Sequence, residues 1–127
     1  MIYLAIPYTH EDPAVMDSRA EVADHVAALL TRIGYEVYSP ISSWHYIAKK
    51  YNLPTDHQYW KRLNDNILSI CDRLMVIKLD GWEESQGVQD EIEMAEGLCL
   101  EIIYEDYECR INKIDRKMAE GKEASDG

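Results

Sequence analysis

The chain's 127 residues fit one domain, and a hydrophobic fraction of 46% suffices for a single buried core. A formal charge of −11 argues against a protein that grips long nucleic acid through its phosphates, although a local pocket for a small anion is still allowed. No run approaches the roughly 20 apolar residues that span a bilayer, MIYLAIPYT lacks the basic start of a signal peptide, and Cys71, Cys99 and Cys109 lack CxxC spacing, so they read as buried, reduced thiols of a cytoplasmic protein.

Ile2 to Ile6 is apolar and β-rich and predicts a first strand buried on both faces. Pro7-Tyr8-Thr9-His10 opens a loop that runs to about Val15. Met16 to Ile33 has a helical period, with an apolar stripe at Val22, Val26, Leu29, Leu30 and Ile33, and Gly34 suits the position after the helix. Tyr35 to Tyr38 predicts a short second strand ended by Ser39-Pro40. Strand, helix, strand in this order implies a parallel pair with a right-handed crossover. Ile41 to His57 is less regular. Ser42 to Ala48 fits the start of a short helix, and Asn52 to Asp56 breaks it. From about His57 to Cys71 the helical pattern returns, with Trp60, Leu63, Ile67 and Cys71 on one face. Asn64 shares that face and Asp65 points away. Arg73 to Leu79 predicts a third strand, and Leu98 to Tyr104 a fourth. Beyond it, Ile111, Ile114 and Met118 have the spacing of a weakly amphipathic helix with a frayed end. The outcome is an α/β domain over residues 1–105 with about four parallel strands, followed by a C-terminal helix and tail over 106–127.

The stretch GWEESQGVQDEIEMA, Gly81 to Ala95, carries the sharpest chemical signal. In a helix from about Val88, the residues Val88, Ile92, Ala95 and Leu98 share a face, while Gln89, Asp90 and Glu93 fall opposite. Glu91 falls among the apolar residues. A carboxylate there loses hydration, so its pKa rises unless it is paired, and it becomes a candidate nucleophile or general acid/base. A register error of one residue would instead leave Glu91 solvated.

Parallel strands bring several polar groups to one edge. Tyr8, Thr9 and His10 follow the first strand; Ser39, Ser42 and Ser43 the second; Asp80, Trp82, Ser85 and Gly87 the third. Each has an ordinary alternative. Tyr3 is either a site residue or a core residue with its hydroxyl at the rim. His10 fits a solvated loop. Ser85 is a good helix cap, which is compatible with ligand contact. Trp82 either stacks on a base or covers the sheet. Arg19 lies on a solvated helix face or holds an anion. The chain has no GxGxxG, GxxxxGK[ST] or GxSxG. His10, His25, His45 and His57 have no ligand spacing, so no metal is indicated.

IYLAIPYT and CDRLMVIKLDGWEESQGVQDEIEMA resemble the nucleoside 2-deoxyribosyltransferase superfamily. They are most similar to a small phage and bacterial branch marked by GW-x-x-S-x-G-V-x-x-E-x-x-x-A. The resemblance implies a flavodoxin-like three-layer sandwich with a mostly parallel sheet of about four to five strands, assembled as a homo-oligomer such as a dimer. It implies cleavage or transfer at the N-glycosidic bond of a (deoxy)nucleoside or its 5′-monophosphate, with no cofactor. By position, Glu91 matches the nucleophile that forms a covalent glycosyl-enzyme, and Tyr3 the tyrosine that orients it. Ser85 matches a serine that binds the 5′-phosphate in nucleotide N-hydrolases and is acidic in free-nucleoside transferases. Gly87, Tyr8, Thr9, Trp82 and Arg19 complete the expected substrate contacts. The family's aspartate near the leaving group aligns with Asn64, and Asp65 is next door. Either the helix is shifted by one and Asp65 serves, or the activity is weak or altered. Glu93-Met94-Ala95 also replaces the usual Gly-Tyr-Ala or Gly-Arg-Ala. The alternative from another class is a non-catalytic nucleotide-binding module of the same fold.

Overall fold

The computed structural model describes residues 1–107. The helix expected around Ile111, Ile114 and Met118, its frayed end and Cys109 lie outside the described residues. Four strands and four helices follow in order: β1 (Ile2–Ala5), α1 (Pro13–Arg32), β2 (Val37–Tyr38), α2 (Pro40–Tyr51), α3 (His57–Leu68), β3 (Arg73–Ile77), α4 (Gln86–Gly97) and β4 (Glu101–Glu105). The sheet is parallel throughout, in the order β2-β1-β3-β4, with Tyr3 opposite Tyr38 on one side and Leu74 on the other.

Strand alternation divides the core in two. Ile2, Leu4 and Ile6 pack with Met75, Ile77 and the Ala23–Val26–Leu30 stripe of α1. Tyr3 and Ala5 point the other way, into Leu74, Val76, Leu68 of α3 and the Val88–Ile92–Ala95 stripe of α4. Helices on both faces of a parallel sheet make a flavodoxin-like three-layer sandwich. The alternation also puts Tyr3 beneath α4.

Several boundaries differ from the sequence expectation, each for a local reason. α1 begins at Pro13, not Met16, because Asp12 caps it, its carboxylate accepting the Ala14 N–H at 2.9 Å. Proline at the first helical position has no N–H to leave unpaired. Ser39-Pro40 ends β2 by starting a complete helix: Ser39 Oγ accepts the Ser42 N–H at 3.2 Å, and α2 runs to Asn52, which closes it at φ 54°. Leu63 is exposed instead of sharing the inner face of α3. That face is the line Asn64–Leu68, and Leu63 lies one residue, about 100°, off it. Leu98 is exposed because α4 has ended at Gly97, and Cys99, also exposed, turns the chain at φ 57°. β4 therefore starts at Glu101, and of the two described cysteines only Cys71 is buried.

Candidate active site

The strand order reverses between β1 and β3, and in such sheets the crevice beyond the strand ends is where ligands sit. Here that crevice is a cleft of about 390 Å³. Tyr8 and Thr9 line it from the loop after β1. Pro40 and Ile41 come from the start of α2, Asp56 and His57 from the start of α3, and Ser85 to Val88 from the start of α4. Three helix N-termini thus border one cavity, each the positive end of a backbone dipole.

Glu91 is at its floor. The residue is only 9% exposed. Burial pushes its carboxyl up to about 8; the charges of Asp65 and Asp90 push the same way, while the Tyr3 hydroxyl and Lys61 oppose. Tyr3 is fully buried, and burial followed by the charge of Glu91 holds its phenol well above the ordinary tyrosine range. The two groups influence each other without a well-formed hydrogen bond: Tyr3 Oη and Glu91 Oε2 are both buried and lack a partner. Buried polar atoms are nearly always paired, so two orphans side by side mark the spot.

The other candidates divide. Ser85 caps α4, its Oγ accepting the Val88 N–H at 3.3 Å, and it lines the cleft together with Gly87. Thr9 Oγ1 donates to the Thr55 carbonyl at 2.9 Å, tying two walls together. Asn64 is the inward residue of α3, accepting a hydrogen bond from Tyr38 Oη at 3.4 Å. Asp65 is half-buried and pairs with Lys61 at 2.9 Å. Neither lines the cleft, and Tyr3 lies under it rather than in it. Trp82 covers the sheet edge against Tyr104, ring centres 5.9 Å apart, outside the cleft. Arg19 is also outside: its guanidinium donates to the carbonyls of Tyr8, Thr9 and Asp80 at 3.3, 3.4 and 3.1 Å, joining the loops after β1 and β3.

A family model described as a domain of unknown function, DUF1937, matches residues 1–104. The chain belongs to the DUF1937 family. No curated protein matches it. The cleft, from Leu4 to Glu91, falls entirely inside the DUF1937 match.

Two polar groupings of this DUF1937 domain escaped the sequence reading. Tyr8 Oη meets His45 Nδ1 at 2.6 Å, and His45 Nε2 meets Asp17 at 2.9 Å. His57 Nε2 meets Asp90 Oδ2 at 2.8 Å, so Asp90 faces α3 rather than open solvent. The partners are 37, 28 and 33 residues apart, separations that carry no periodic signal. Among the described residues no cluster of three or more His, Cys, Asp or Glu side chains is placed to hold a metal ion, and no helix is long and apolar enough to cross a membrane.

Proposed function

We propose that this domain cleaves or exchanges the N-glycosidic bond of a (deoxy)nucleoside 5′-monophosphate through a covalent glycosyl-glutamate at Glu91. The observation that carries the proposal is the buried Glu91 carboxyl with an orphaned oxygen at the floor of the cleft. An unpaired polar group in such a place costs roughly 1–3 kcal/mol even when neutral. Its neighbours Val88 and Ile92 are buried and apolar, so packing does not account for a carboxyl here, which supports a chemical role.

As the base departs with the C–N electron pair, the sugar gains oxocarbenium character. Glu91 captures the anomeric carbon from the opposite face, and water or a second base then displaces it. The volume falls in the usual range for small-molecule sites, about 300–1,000 Å³. The converging helix N-termini favour an anionic substituent. In the first turn of α4 the N–H groups of Gln86 and Gly87 have no intrahelical acceptor, and Ser85 adds a neutral hydroxyl where a carboxylate would repel phosphate. The associated assembly is a homodimer, supported by large apolar side chains exposed on α2 and α3 at Ile47, Tyr51, Tyr59 and Leu63. The free thiol of Cys71 is in keeping with a cytoplasmic location.

Asn64 favours a second proposal, a nucleotide-binding module without chemistry, because a neutral amide cannot protonate a leaving base. Incubation with a panel of nucleoside 5′-monophosphates and nucleosides, followed by chromatography for free base, separates the two. Base release lost in Glu91→Gln supports the enzyme. Tight binding with no release supports the module, and neither binding nor release overturns both.

A further inference from the structure

α3 and α4 meet at a polar contact between mostly buried side chains. His57, the first residue of α3, bonds Asp90 of α4 through Nε2, with the two side chains 15% and 20% exposed. Gln86 donates to the other Asp90 oxygen at 2.7 Å. An ionised carboxylate only accepts, so Nε2 carries a proton and Nδ1 is the ring nitrogen left to take up or release one. Among the described residues Nδ1 makes no hydrogen bond. It stands over Gly87, where a β-carbon would come within 3.2 Å of it. Gly87 and Glu91 are four apart and share a helix face, about 6 Å along the axis. His57, Gly87 and Glu91 all line the same cleft.

We propose that His57, oriented by Asp90, is the acid–base residue of this cleft. The proposal rests on Glu91 being the nucleophile. In the first step the Glu91 carboxylate bonds to the anomeric carbon and the C–N bond breaks. Its electron pair goes to the base, which takes a proton from the His57 imidazolium. In the second step water attacks the same carbon while neutral His57 accepts its proton. The bond to Glu91 breaks, the carboxylate returns, and His57 is again protonated. His57 thereby supplies what Asn64 cannot. A mere tie between two helices requires neither a place on the cleft wall nor a bare Cα at residue 87.

The test compares a nucleoside 5′-monophosphate with 4-nitrophenyl 2-deoxyribofuranoside 5-phosphate, whose leaving group departs without a proton. Wild type, His57→Gln and Asp90→Asn are assayed on both, with intact-mass spectrometry for sugar phosphate on the protein and melting curves to confirm folding. On the nucleotide, His57→Gln should lose about 10²- to 10⁴-fold in turnover. On the nitrophenyl substrate it should release a first equivalent of nitrophenolate near the wild-type rate, then stall as the covalent adduct. Asp90→Asn keeps a hydrogen-bonding side chain but favours the wrong tautomer, and should show the same split. Equal losses on both substrates, or wild-type rates in both variants, would reduce the contact to a structural tie and overturn the proposal. Wild type that releases neither base nor nitrophenolate would sink the glycosidic function itself, an outcome visible before any variant is made.

Discussion

At the scale of single residues, Glu91 couples stability to chemistry. Folded, its carboxyl titrates at about 8; free, at 4.5. Between those values the folded state holds a proton that the unfolded state has lost. Its contribution is complete below about pH 4.5 and fades as pH rises through about 8. Glu91→Gln removes that titration. Melting temperatures at pH 5 and pH 9 should therefore show the variant gaining on wild type at the higher pH, while base release disappears. A gap that does not widen with pH would contradict the assigned burial. A nucleophile must be ionised, so first-turnover release of nitrophenolate, which needs no proton from His57, should rise with pH through about 8 in the wild type. Tyr3→Phe makes a different demand. It deletes a buried hydroxyl that lacks a well-formed hydrogen bond but acts on the Glu91 carboxyl, so stability should change by no more than about 1 kcal/mol. Turnover should fall about 10²- to 10⁴-fold if that hydroxyl orients Glu91. A rise in KM alone would assign Tyr3 to substrate binding instead.

At the scale of elements, the start of α4 does most to define the cleft. Ser85→Asp tests it cleanly, because aspartate caps a helix as well as serine does and the fold should be indifferent. Titration calorimetry should show weakened binding of the monophosphate, by about tenfold or more for 1.4 kcal/mol of repulsion, with the nucleoside unaffected. Unchanged monophosphate affinity would move the phosphate elsewhere. The same element shows how far a sequence can be read. Apolar phase alone put Glu91 among Val88, Ile92 and Ala95, and that is where it packs. Phase placed helix starts too late, at Val88 for Gln86 and at Met16 for Pro13, because first turns are built from caps, prolines and polar residues outside the apolar period.

At the scale of the molecule, the order β2-β1-β3-β4 opens the crevice, and Arg19 holds its two sides in register. Three carbonyls from the loops after β1 and β3 converge on one guanidinium. Arg19→Met keeps much of the aliphatic bulk and removes those bonds. It should cost about 1–3 kcal/mol and speed amide exchange in both loops while leaving the sheet protected. Unchanged exchange in both loops, with a large loss of phosphate affinity, would make Arg19 a ligand contact after all.

The sequence by itself determined the parallel α/β sandwich, the inward face of α4 and the inward Asn64, because burial against a sheet imposes a period that residues display in order. Tertiary structure alone decided which polar groups meet. Periodicity reports which face of a helix is apolar but not which helix lies beside it. His57 and Asp90 find each other only because α3 packs on α4. Likewise, Arg19 reaches Asp80 only because β1 and β3 are neighbours in the sheet.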